Sequence, residues 1–217
     1  MAHYMLYLSL LLAPASLQGI HAVDYVVTNN AASTAGGARF NNEIGDTNSK
    51  QTLSSAIDFL WRIFQQTTAA DRKNVQKVSL FIDSMNGVPA NYIGNYSGDV
   101  RREIAGVLYH EMTHIWQWNG NGQTLGGLIE GITDYVRLKA NYAPSYWVQP
   151  GQGDRWDQGY DVVGKNVFLD YCSSLRNGFV AELNKKMRSG YSGSYFIDLL
   201  GKNVDQLWKD YKAKYGQ

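Results

Sequence analysis

The chain has a single cysteine and only four histidines among its 217 residues. Because Cys172 has no partner, no disulfide can form within the chain, and stability has to come from core packing or from a bound metal. We predict that Cys172 is simply a small buried side chain. The formal net charge is only +1, and no basic stripe is present. The composition therefore argues against binding to nucleic acid or to a membrane surface.

Long apolar runs are also missing, apart from one near the N-terminus. The segment from Met5 to Ala13 is nearly all apolar, but it is too short to span a bilayer. Small residues of the kind that signal peptidase accepts follow it: Ala15, Gly19 and Ala22. We predict a cleaved signal peptide over residues 1–22, one domain over residues 23–217, and a secreted, extracellular protein.

Hydrophobic periodicity predicts an α+β fold, in which a small N-terminal sheet precedes a helix-rich C-terminal part. The predicted strands are residues 25–28, 38–40 and 75–82, the last of them central, and an amphipathic helix is predicted over about 50–66. Residues 86–98 are rich in Gly, Asn and Pro and predict a loop. Further helices are predicted after Asp99 as N-cap, from Thr124 to about Ala140, and over 167–175, 179–187, 195–200 and 204–215.

Two of the histidines lie in the predicted leader, and the other two lie in His110-Glu111-Met112-Thr113-His114. On a helix, positions i and i+4 share a face, with Cβ atoms about 5–6 Å apart, so both imidazoles can bind one ion. This HExxH pattern is typical of zinc peptidases, although it also occurs by chance on surface helices. We predict that His110 and His114 bind Zn²⁺ and that Glu111 is the catalytic base that activates water.

A catalytic zinc site needs a third protein ligand, and residues 23–217 contain no further histidine. Glu130 follows His114 by 16 residues, and the Gly-rich stretch between them allows the chain to return antiparallel. We predict Glu130 as the third ligand. Asp134, on the same helical face, is predicted to hydrogen-bond one histidine and fix its tautomer. The reverse assignment, with Asp134 as the ligand, stays open.

Further motifs accompany these residues over much of the chain. HEMTHIWQW at 110–118 and GLIEGITDYVR at 127–137, together with residues 34–40, 153–160 and 179–187, closely resemble the plant basic secretory protein family of zincin-like peptidases. The resemblance implies a secreted, single zincin-like metallopeptidase domain that binds Zn²⁺, hydrolyses peptide bonds in protein or peptide substrates and is associated with plant defence.

Other side chains carry weaker predictions. Tyr160 lies in a polar loop and is a candidate donor to the oxyanion that forms on the attacked carbonyl, with ordinary packing as the alternative. Arg155 could bind a substrate carboxylate or form a surface salt bridge. Asn95 begins an Asn-Tyr-Ser sequon, which predicts an exposed loop and a candidate N-glycan. Oligomeric state has no sequence signal.

A second function also fits the sequence. Between Asp83 and Tyr92 the chain looks shorter than its relatives, near the position where zincin folds have a substrate-pairing strand. This favours a non-catalytic defence protein that keeps the zincin scaffold and binds a glycan or protein through aromatic residues. The candidate aromatic residues are Trp116, Trp118, Trp147 and Trp156, for which core and rim packing is the alternative.

Overall fold

The structure is a computed structural model, and it describes residues 23–83, 93–157 and 165–216. Four features of the sequence lie outside the described residues: the predicted leader, most of the predicted loop at 86–98, the shortened stretch before Tyr92, and the side chain of Tyr160. The described part is α+β, as predicted, with a two-stranded parallel sheet and a majority of helix. None of its helices is long and apolar enough to cross a membrane.

Two parallel strands form the sheet. β1 (Asp24–Asn29) pairs with β2 (Lys77–Ile82) in a register that places Asp24 opposite Lys77 and Asn29 opposite Ile82. Parallel strands need a long crossover connection, which here contains α1 (Ala35–Glu43) and α2 (Gly45–Ile63). α2 packs against β1. The central position predicted for the second strand is not seen, since the described residues pair it with β1 alone.

The predicted strand at 38–40 is wrong, because these residues lie within α1. Thr34 caps this helix by accepting a hydrogen bond from the Gly37 amide at 3.0 Å. A Cβ on Gly37 would lie 1.9 Å from the carbonyl oxygen of Ala31, so only glycine permits this close approach. A local cap and a tight contact therefore outweigh the weak β propensity of the three residues.

The helices that follow are close to their predicted positions: α3 (Val100–Trp116), α4 (Gly126–Lys139), α5 (Lys165–Leu175), α6 (Phe179–Lys186), α7 (Ser194–Leu200) and α8 (Val204–Lys214). Asp99 caps α3 as predicted, because its side chain accepts a hydrogen bond from the Arg102 amide at 3.0 Å. Thr124 does not begin α4, which starts two residues later after Leu125 without a side-chain cap. In the predicted loop at 86–98, residues 93–95 are helical.

One hydrophobic core connects these elements, and α3 packs between α2 and α4 within it. The most deeply buried large side chains come from all parts of the helical region: Leu60, Met112, Ile132, Phe168, Leu183 and Tyr211. Cys172 is fully buried, as predicted, and burial raises the pKa of its thiol. The packing of α3 against α4 matters most for function, because it brings the predicted zinc ligands together.

Candidate metal centre

The two histidines of the HExxH motif lie on the face of α3 that meets α4. His110 is almost completely buried, whereas about a quarter of the His114 side chain is exposed. Their Nε2 atoms are 3.2 Å apart, and the ring planes are nearly perpendicular at 76°. The i, i+4 spacing therefore converges as predicted, with both Nε2 atoms aimed at the same small volume.

Glu130 approaches the two imidazoles from α4. A 3-10 turn at Gly120–Gly122, in which Gly120 and Gly122 adopt positive φ, reverses the chain between α3 and α4. The Oε2 atom of Glu130 lies 3.3 Å from Nε2 of His110 and 3.5 Å from Nε2 of His114. Among the described residues, these three offer a set of ligand atoms that could hold a metal ion.

The three separations can be compared with those of a real zinc site. Zinc bonds of about 2.0–2.1 Å in tetrahedral geometry place neighbouring ligand atoms about 3.3–3.4 Å apart. The observed separations are 3.2, 3.3 and 3.5 Å. Oε2 of Glu130 is also buried and accepts no hydrogen bond from the described residues, which is costly for a carboxylate oxygen unless a cation satisfies it. The donor set therefore fits a zinc ion in size and chemistry.

Asp134 holds His110 from the side opposite to Glu130. Its Oδ1 atom lies 2.9 Å from Nδ1 of His110, so the ring proton belongs on Nδ1 and the lone pair on Nε2 is free for a metal. Burial alone lowers the pKa of His110, but the hydrogen bond to Asp134 and the nearby carboxylates outweigh it, and the pKa is raised. Asp134 thus lies on the Nδ1 side of His110, and Glu130 lies on the Nε2 side of both histidines.

Two neighbours of the histidines were not predicted. Gln117 is buried, and its Nε2 atom lies 3.2 Å from Nδ1 of His114. Thr133 donates to the carbonyl oxygen of Glu130 at 2.6 Å, and its Oγ1 atom lies 3.3 Å from Nε2 of His110. Their only sequence signal is position, since Gln117 follows His114 by three residues and Thr133 precedes Asp134.

His114 and Glu111 lie nearer to solvent than His110. Burial lowers the pKa of His114, and this effect exceeds the opposing effect of Glu130. Glu111 is exposed at the rim of the triad, and the described residues include no ion pair with it. Glu111 directly follows His110 in the chain, and its charge favours the protonated form of both imidazoles. An exposed carboxylate beside a metal triad is suited to exchange protons with water.

Comparison with known proteins places this chain in a family. A family model described as a peptidase of plants and bacteria matches residues 20–211. The chain belongs to the basic secretory protein family. A "Basic secretory protease" from Boswellia serrata is 46% identical over 61 residues, which are 28% of this chain and 67% of that protein. No solved structure is significantly similar. The resemblance described above is confirmed, and a protease function is supported at the level of the family.

Arg155 and the four candidate tryptophans of this basic secretory protein have structural partners. Arg155 forms the predicted surface salt bridge with Asp157, at 2.7 Å. Trp116 is buried and contacts Trp61 edge to face at 5.4 Å. The other three tryptophans are half-buried. Trp118 lies near Lys73 and Arg188, Trp147 near Arg137, and Trp156 near Phe196. Trp156 also donates a hydrogen bond to Oδ1 of Asp205 at 3.3 Å.

Proposed function

We propose that this protein is a secreted, zinc-dependent peptidase with a zincin-like domain, in which His110, His114 and Glu130 hold the metal. The observation that carries the proposal is the match between three ligand-atom separations and tetrahedral zinc geometry. The buried Oε2 atom of Glu130, which accepts no hydrogen bond from the described residues, supports it further. Membership in a peptidase family supports proteins or peptides as the substrate class.

The chemistry follows from the residues around the triad. When bound, a zinc ion supplies Lewis acidity, which polarises a carbonyl and makes water a nucleophile near neutral pH. Glu111 takes the proton from the attacking water on its carboxylate and passes it to the leaving amine. Asp134 keeps the proton of His110 on Nδ1, so that Nε2 stays available as a ligand. Tyr160 is proposed as a donor to the oxyanion and lies outside the described residues.

The test separates metal binding from proton transfer. Zinc content and casein cleavage are measured in the purified mature protein, in Glu111→Gln and in His114→Ala. We expect Glu111→Gln to keep zinc and lose turnover, because only the proton acceptor is removed. His114→Ala should lose zinc and turnover together. Asp134→Asn keeps the shape of the orienting side chain and should bind zinc about 10- to 100-fold more weakly. Full activity in both of the first two variants would end the proposal.

Secretion and domain organisation belong to the same proposal. We propose that residues 1–22 are a cleaved leader and that residues 23–217 form one domain, supported by the single core of the described residues. The name of the Boswellia serrata relative supports secretion. Asn95 and Ser97 are both exposed, which supports glycosylation of the sequon in a secretory host. Treatment of the secreted protein with an endoglycosidase, with Asn95→Gln as control, tests this modification by a mass shift.

Zinc binding and peptide cleavage by the same purified mature protein distinguish the non-catalytic alternative from a peptidase. Its sequence argument concerns the stretch before Tyr92, which lies outside the described residues. A mature protein that holds zinc yet cleaves no member of a broad peptide library would favour the alternative. Cleavage that disappears with a chelator and returns with added zinc would exclude it.

A further inference from the structure

The two histidines of the triad are held by different kinds of partner. His110 faces the carboxylate of Asp134, whose oxygen atoms accept hydrogen bonds. His114 instead faces the side-chain amide of Gln117, whose Nε2 atom is 3.2 Å from Nδ1 of His114 and 3.3 Å from the carbonyl oxygen of Ile129. Gln117 is 1% exposed, and its Oε1 atom is buried without a hydrogen-bond partner among the described residues.

This arrangement sets the tautomer of His114. An amide N–H₂ group is donor-only, so Nδ1 of His114 has to accept, and the ring proton belongs on Nε2. Binding of a metal requires the opposite tautomer, with the lone pair on Nε2 and the proton on Nδ1. With the Gln117 amide in its observed orientation, a proton on Nδ1 of His114 would face the N–H₂ group, which is also a donor. A half-turn of the Gln117 amide brings Oε1 to Nδ1 and removes the conflict, since the two amide atoms exchange places.

We propose that Gln117 is the positioning residue of His114, and that its amide turns over when the site is loaded so that Oε1 accepts the Nδ1 proton. The inference rests on the proposed zinc site. The turn gives up the hydrogen bond to the Ile129 carbonyl, and the orphaned Oε1 atom gains a partner. His110 is thus held ready for the metal by Asp134, whereas His114 becomes a ligand only together with a change in Gln117.

Zinc dissociation constants, measured by competition with a chromogenic chelator, provide the first test. Gln117→Leu removes the acceptor and should weaken zinc binding about 10- to 100-fold, as loss of such partners does elsewhere. Gln117→Glu supplies a permanent acceptor, as Asp134 does for His110, and should bind zinc at least as tightly as the wild type. Gln66→Leu is the matched control, because Gln66 is also a buried glutamine and its side-chain amide has no hydrogen-bond partner among the described residues. This control should leave the dissociation constant unchanged.

Nitrogen-15 NMR of the metal-free protein at pH 8 gives a second readout that needs neither zinc nor activity. The wild type should carry the His114 proton on Nε2, and Gln117→Glu should shift it to Nδ1. An unchanged tautomer in Gln117→Glu would overturn the inference, even where Gln117→Leu fails to fold.

Two results of the zinc-affinity measurements would contradict the inference. Wild-type affinity in Gln117→Leu, or an equal loss in Gln66→Leu, would refute a role specific to His114. A wild type that binds no zinc would refute the proposed function instead, and the tautomer measurement would still decide whether Gln117 controls His114.

Discussion

Two adjacent glycines at the start of α4 should respond in opposite directions to the same substitution. A Cβ added to Gly126 meets nothing within 4 Å, whereas a Cβ added to Gly127 would lie 2.1 Å from the carbonyl oxygen of Asp157. The obstacle at Gly127 is main chain, so no rotamer change relieves it. The contact lies between α4 and the segment that includes Asp157, and it can be relieved only when one of them moves.

The expected magnitudes follow from this geometry. Forcing extra volume into a packed contact costs about 1–3 kcal/mol, which in a chain of this size lowers the melting temperature by about 2–12 °C. Gly126→Ala should instead be neutral or raise the free energy of unfolding by up to about 1 kcal/mol, because alanine favours the helix and restricts the unfolded chain. Urea denaturation of both variants, followed by circular dichroism, measures the difference. Equal stabilities would show that the segment does not cross α4 at Gly127.

Zinc affinity shows whether α4 or the Asp157 segment moves in Gly127→Ala. Glu130 lies one turn beyond Gly127, so a displaced α4 would move its carboxylate away from the histidines and weaken zinc binding. A displaced Asp157 segment would leave the triad in place. Zinc affinity of Gly127→Ala that equals that of Gly126→Ala therefore indicates that the segment moves, and a lower affinity indicates that the helix moves.

Three further predictions concern the core and the metal. Arg137→Met should lower the free energy of unfolding by about 3–5 kcal/mol, because it leaves the buried Glu103 carboxylate without the guanidinium at 2.9 Å. Lys186→Met breaks an exposed ion pair with Asp198 of the same length and should lower it by less than about 1 kcal/mol. Urea denaturation measures both, and equal losses would contradict the argument from burial. Cys172 should not react with a thiol reagent at neutral pH until the protein is unfolded, since it is fully buried and its pKa is raised; rapid labelling of the native protein would contradict this. A chelator should lower the melting temperature of the zinc-loaded wild type and leave that of His114→Ala unchanged, because only the former is stabilised by bound zinc; an equal shift would place the metal elsewhere.

Much of the site could be predicted because it depends on local rules. A helix that carries histidines four residues apart brings their rings together whatever the rest of the fold does. Asp99 marks the start of that helix through an ordinary side-chain cap. Glu130 and Asp134 also lie four residues apart, so one helix presents both to the same neighbour. These regularities need only a correct assignment of two helices and of the turn between them.

The errors arise where one close contact, or a helix start without a side-chain cap, decides the local structure. The sequence of segment 38–40, which contains an aromatic residue, predicts a strand, but the helix there depends on Gly37 packing against Ala31. Threonine is a common cap and makes Thr124 the predicted start of α4, whereas the helix begins at Gly126 with no side-chain cap. Neither feature follows from propensity within a short window.

Gln117 could not be predicted because it lies at the point where α3 ends and the chain becomes extended. Beyond that point helical periodicity no longer says where a side chain points. The direction of the main chain here is set by Asn184, which accepts a hydrogen bond from the Trp118 amide from 66 residues away. A contact of that range leaves no motif in the sequence around His114.

The distances between the three candidate ligand atoms also depend on residues that would not themselves bind the metal. Spacing along the chain identifies the ligands, but the 3.3 and 3.5 Å distances from Glu130 to the histidines require α3 and α4 to pack at one particular depth. Arg137 of α4 reaches Glu103 of α3 across Gly106, where a Cβ would lie 2.6 Å from the guanidinium Nε. A larger residue at Gly106 would therefore displace the Arg137 side chain and disturb its contact with Glu103, one of the contacts that hold α3 and α4 together.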